Sequence, residues 1–267
     1  MAQEKWMIDG EKIIDIDMIR KLKVGLIAGQ VNIVGHDEPG ARVEVHSVTG
    51  RELKVTIDGD TLEIDHAQLR WDNFIEVFSS WRGGTAKADI SIRVPRDVAL
   101  KFGVVSASAL ITGLTEDAQI STVSGDLVVD NLYGDLQLNA VNGEIAVRNH
   151  YGSINAHTIS GDITASGEIM KFVADTVSGD VFLDVLGVPD EVRVNTISGN
   201  VTTRLAAEVP VQYRINTVSG RLQLDNSEIR GIRGAYTGKF GTLDQRWLDF
   251  KANTVSGDIS VLHAVTA

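Results

Sequence analysis

TVSGDLVVD, residues 122–130, carries the pentapeptide around which this chain is organised. Its first five residues return as TISGD at 158, TVSGD at 176, TISGN at 196, TVSGR at 217 and TVSGD at 254. Outward from Gly125, glycines fall at 134, 143, 152 and 161, a spacing of nine; position 170 is Met, and Gly179 resumes the phase. Apolar residues sit two and four places after each glycine, as in Leu127/Val129, Leu136/Leu138, Ile145/Val147, Ile163/Ala165 and Val181/Leu183, with polar residues between them. That is the period of two of a half-buried strand. A third apolar position lies two residues before the glycine, at Val123, Leu132, Val141, Ile159 and Val177, and is expected to point inward and fill a corner. The Thr-Val-Ser-Gly corner alternates with a variable one (NLYGD, NHYGS), so the full period is 18 residues, two strands and two turns.

A meander would leave one apolar face uncovered, and the repeat region offers no helical pattern to cover it. A flattened coil buries both inner faces against each other. The expected fold is therefore all-β: a two-sheet β-solenoid with ~18-residue coils. Glycine supplies the positive φ of the tight corner, and the flanking Ser and Asp can bond turn amides. Past Gly179 the glycine spacing lengthens, to Gly199, Gly220 and Gly257, and the added residues should emerge at the edge opposite the Thr-Val-Ser-Gly corners. The expected organisation is one continuous domain. Residues 1–105 form irregular N-terminal β coils or an antiparallel cap, with a hairpin turning at Asp58-Gly59-Asp60. Residues 106–267 form the repeat, with a C-terminal capping insertion at 226–251.

The composition narrows the function. The chain has 267 residues, a net charge of −11 and no cysteine. The charge argues against nucleic acid, which needs a basic footprint. The lack of thiols excludes disulfides and thiolate metal sites. No basic-then-apolar leader opens the sequence, and no run approaches 18 apolar residues, so the expected location is cytoplasmic, peripheral to a membrane at most. No cofactor motif is present.

The Thr-Val-Ser-Gly-Asp corners and the Asp-Leu-x-Leu strands after them resemble a bacterial "putative adhesin" family of β-strand repeats, most clearly over 105–264. The resemblance implies the fold and a non-catalytic, adhesin-like binding role, and brings no catalytic residues.

Three groups of side chains are candidates for chemistry or contact. Asp126, Glu144, Asp162 and Asp180 follow the corner glycines and would stack about 4.8 Å apart. The plain reading is that each accepts turn amides; calcium binding and paired acid–base catalysis, as in carbohydrate-active β-helix enzymes, are the alternatives. His150 and Glu168 are 18 apart and expected to meet as an inward polar pair. Two aromatic groups, Trp71, Phe74, Phe78 and Trp81, and Tyr236, Phe240 and Trp247, are candidates for a docking surface or for the caps of the repeat. The reading these features favour is a binding scaffold for a protein partner or a membrane surface, with self-association through open edges. A calcium-stabilised structural module stands second and a glycan enzyme third.

Overall fold

Strand after strand in this chain alternates buried and exposed residues, and the elements that result are those the period of two dictates. The computed structural model describes residues 4–66, 86–229 and 234–264, and every regular element among them is a β-strand. The chain divides into two compact units, 1–134 and 135–267.

The first unit contains β1 (Glu4–Ile8), β2 (Lys12–Ile16), β3 (Lys21–His36), β4 (Ala41–Thr49) and β5 (Leu53–Asp58). These are followed by β6 (Thr61–His66), β7 (Lys87–Pro95), β8 (Ala99–Thr112), β9 (Ala118–Ser124) and β10 (Leu127–Asp130). Its centre is a pair of long parallel strands, β3 and β8, with Leu22 opposite Leu100 and Ile33 opposite Ile111. On one side of β3 lie β6, along its first half, and β7, along its second, both parallel to it. Beyond them β5 and β4 run antiparallel, and β1 and β2 close the outer edge. On the other side β8 carries β9 and β10, both parallel. The expected Asp-Gly-Asp hairpin is present as β5–β6, with Gly59 at φ 63°. The N-terminal part thus combines parallel and antiparallel pairing.

The second unit contains β11 (Leu136–Asn142), β12 (Ile145–Ser160), β13 (Ile163–Ser178), β14 (Val181–Val185), β15 (Glu191–Ser198) and β16 (Val201–Leu205). After these come β17 (Val211–Ser219), β18 (Leu222–Leu224), β19 (Ser227–Ile229), β20 (Gly234–Phe240), β21 (Leu248–Ser256) and β22 (Ile259–His263). The pairing is parallel and in repeat register: Ile145 lies opposite Ile163, Ile163 opposite Val181, and Val181 opposite Val201. Like residues therefore stack on like, one rung per coil, with about 4.8 Å between rungs. Ile154, Phe172, Val192 and Phe250 form one inner column, each at most 1% exposed.

The rungs are not stacked in chain order. β21 pairs with β15 on one face and with β17 on the other, and β22 lies likewise between β16 and β18. The last coil is thus intercalated between two earlier ones. Strands β19 and β20 turn back antiparallel against the outermost rung.

The glycine column explains part of the pentapeptide. A Cβ on Gly161, Gly179, Gly199 or Gly257 would lie well inside 3.0 Å of the carbonyl oxygen of the corner glycine on the adjoining rung. The corner excludes side chains because the rungs meet backbone to backbone there. Positive φ, 127° at Gly179, is the second reason.

Candidate functional site

In the second unit the residues around the glycine face opposite ways. The corner threonines, Thr158, Thr176, Thr196, Thr217 and Thr254, are buried, at 4–6% exposure. The Val or Ile that follows each points outward, contrary to expectation: Ile159 is 54% exposed, Val177 45%, Ile197 53%, Val218 61% and Val255 49%. The reason is strand alternation, which continues unbroken from Ala156 through Thr158, so that the next residue must face solvent. In the first unit the corresponding Ile27, Val105 and Val123 are buried at 6–7%, although each likewise follows a buried residue of the alternating face, Leu26, Val104 or Thr122. The same column is therefore covered in one unit and bare in the other.

Five β-branched side chains on successive rungs make a continuous apolar stripe, an unusual thing to leave in water. Four of them, Val177, Ile197, Val255 and Val218, form one wall of a groove of about 410 Å³ floored by the threonine column. The other wall is a ladder of amides. Asn216 Nδ2 donates to Asn253 Oδ1, Asn253 Nδ2 to Asn195 Oδ1, and Asn195 Nδ2 to Asp175 Oδ1, each at 2.7 Å. His157 Nδ1 lies 3.3 Å from Asp175 Oδ2 and ends the chain. Each of these amides has a second N–H and a second acceptor lone pair besides those the ladder uses.

The acidic column runs along the far side of the stripe, around the corner. Its carboxylates do accept amides, but from the adjoining rung. Asp162 Oδ1 accepts the Asp180 N–H at 2.8 Å, Asp180 Oδ1 the Asn200 N–H at 2.7 Å, and Asp258 Oδ1 the Arg221 N–H at 2.8 Å. Asn200 Oδ1 accepts the Asp258 N–H at 3.0 Å, so an uncharged amide separates two carboxylates that would otherwise repel. The Arg221 guanidinium bonds Asp258 Oδ2 at 2.6 and 2.9 Å and holds that carboxyl below the usual range. The first unit repeats the device where Asp89 Oδ1 accepts the Gln30 N–H at 3.1 Å. Asp126 and Glu144 are exposed. Among the described residues, no three His, Asp or Glu side chains converge as metal ligands.

The expected His150–Glu168 contact does not form. A register shift after Val147 sets Gly167 opposite His150, while Glu168, opposite Tyr151, is turned to solvent. His150 is 1% exposed, and its Nε2 lies 3.3 Å from the Ser153 carbonyl oxygen. A side chain on Gly167 would strike the His150 backbone, so the bulge and the glycine belong together.

Of the aromatic candidates, Trp71, Phe74, Phe78 and Trp81 lie outside the described residues. Tyr236 is half-buried on β20 opposite Ile215. Phe240 stacks on His263 with ring centroids 3.9 Å apart, and Trp247, just before β21, is 39% exposed. None of the three lines the groove. One further cluster, at the opposite end of the same strands, was not anticipated. Glu191 accepts from Lys251 at 2.9 Å and from Arg193 at 2.7 Å, and faces Lys171 at 3.3 Å. These cations, Lys251 foremost, hold its carboxyl at about 2.

The stripe was missed because Val and Ile are assigned inward by default. Counting strict alternation from Ala156 or Ala174 would have turned them out.

Among solved structures, the chain is similar to a putative adhesin from Bacteroides fragilis (11% identity over 95% of this chain and 99% of that one, TM-score 0.49). It is also similar to a putative adhesin from Parabacteroides distasonis (12%, 98% and 97%, TM-score 0.45). A putative lipid binding protein from Parabacteroides distasonis matches at 11% identity over 97% and 96%, with a TM-score of 0.35. No curated protein matches the chain. The family model described as Toastrack DUF4097 matches residues 19–262, and the chain belongs to that family.

Proposed function

We propose that the protein is a non-catalytic binding scaffold, a two-sheet β-solenoid whose second unit holds a protein partner along the Ile159–Val177–Ile197–Val255–Val218 stripe. The observation that carries this reading is the exposure of that column, about half of each side chain, where the equivalent column of the first unit is buried. Covering five half-exposed aliphatics gains about 1 kcal/mol each. After the cost of association, that supports a moderate affinity, to which the amide ladder adds direction.

Charge favours a protein over a lipid surface. Beside the stripe run Glu144, Asp162, Asp180 and Asp258, with Arg221 as the one cation of the column, on a chain of net charge −11. An anionic membrane is repelled by such a rim, whereas a segment carrying aliphatic and basic side chains matches both the stripe and its border.

The test uses a fluorescein-labelled amphipathic Leu/Lys peptide and, separately, vesicles of phosphatidylglycerol. The peptide is expected to bind, and the double substitution Val177→Asn/Ile197→Asn to weaken it at least tenfold with an unchanged circular dichroism spectrum. Equal binding of the peptide to both proteins, or stronger capture by the vesicles, overturns the reading.

A further inference from the structure

The stacking order of the second unit carries a consequence independent of the stripe. Strands β21–β22 fill a slot between β15–β16 and β17–β18, although the chain reaches β17–β18 first. We propose that this last coil, residues 248–263, is exchangeable, and that the slot accepts the same coil from a second copy of the chain.

Over the corner residues the two edges of the slot also match each other. Were β17 to take the place of β21, Asn216 would stand over Asn195, Thr217 over Thr196 and Ser219 over Ser198, the residues that β21 meets with Asn253, Thr254 and Ser256. Arg221 would follow Asn200, whose Oδ1 already accepts a backbone N–H from the rung above. The connections agree: residues 186–190 join β14 to β15 and climb one rung, and residues 206–210, equally many, join β16 to β17 and climb two. The slot can therefore close when the coil leaves, so an opened molecule keeps its other rungs paired.

What fits the open slot best is the coil's own sequence. Phe250 and Val261 are fully buried in it. Lys251 Nζ reaches Glu191 Oε1 at 2.9 Å on one side, and Asp258 takes the Arg221 N–H and guanidinium on the other. Only another copy brings Phe250, Lys251 and Asp258 at these spacings. The hinge is residues 241–247, of which all but Leu243 are exposed. Fully extended, seven residues reach about 23 Å, enough to enter a neighbouring slot. Reciprocal exchange gives a closed, two-fold dimer.

Shortening the hinge should force the exchange. Phe240 and Leu248 both lie opposite Val211, on its two sides, so their strands are about 9.6 Å apart. Deleting residues 242–247 leaves one linking residue, which spans at most about 7.6 Å. The expected result is a dimer by light scattering with a native β spectrum; a folded monomer overturns the proposal. The second arm keeps the hinge intact. The chain has no cysteine, so Asn195→Cys and Asn253→Cys proteins are mixed at high concentration and oxidised. These side chains are partners at 2.7 Å, and a disulfide joining the two proteins is expected to accumulate. If none forms after prolonged incubation, the coil does not exchange, whatever becomes of the shortened chain.

Discussion

Replacing Gly179 by alanine tests the backbone-to-backbone corner on which the stacked coils depend. The new Cβ would lie well inside 3.0 Å of the Gly161 carbonyl oxygen, so the two rungs must part by about an ångström. The bonds that bridge the gap are short ones, Asp180 N–H to Asp162 Oδ1 at 2.8 Å and Ile163 N–H to the Asp180 carbonyl at 2.9 Å. Losing both costs about 2 kcal/mol, and a side chain at φ 127° adds about 1–2 more. Gly187 is the control. It too has positive φ, 77°, but a Cβ there meets nothing within 4 Å, so Gly187→Ala carries the conformational cost alone, about 1 kcal/mol. Equilibrium urea unfolding of the three proteins measures both, with unchanged m-values as the check that the same surface unfolds. The expected gap between the variants is about 2–3 kcal/mol. Equal losses would show that glycine serves only its φ and that contact between rungs is not what excludes a side chain.

Thr196→Val should raise stability by about 1 kcal/mol, because the buried Thr196 hydroxyl has no hydrogen-bond partner among the described residues; a loss in thermal unfolding would mean that the hydroxyl is satisfied. Glu191 is about 2 in the fold against 4.5 free, so its contribution, up to about 3 kcal/mol, is present above pH 4.5 and fades as the pH falls from there toward 2. Glu191→Gln should therefore be less stable than the parent at pH 7 and equal to it near pH 2, and a gap that does not change with pH refutes the assignment. Chelation with EDTA should leave the melting temperature unchanged, since Asp162 and Asp180 are each engaged by an amide; a drop of several degrees would restore the calcium reading.

Much of the fold was legible in the sequence, and the limits have physical causes. Glycines at 161, 179 and 199 announced the rungs because a Cβ at these corners would strike the backbone of the adjoining rung. The order of the rungs was hidden, since Asn216-Thr217-Val218-Ser219 and Asn253-Thr254-Val255-Ser256 are the same four residues and either coil satisfies β15. The insertion expected at 226–251 reads as a cap and gives no sign that the chain doubles back after it. Asp162, Asp180 and Asn200 do follow one another along the corner, but Asp258 stands between Asn200 and Arg221, and the donor of each amide belongs to the adjoining rung, which local turn chemistry does not reveal. His150 and Glu168 failed for a local reason, as one bulge shifts the register after Val147 and exchanges which residues face in.

The corner glycines also decide where this molecule can grow. A single added residue beside Gly161 would throw every later side chain onto the wrong face, but a duplicate of residues 163–180 restores each column after one full period. Length in the second unit is therefore quantised: a protein taller by one storey, about 4.8 Å, is one tandem duplication away, and every fractional change must be absorbed at the loops on the other edge.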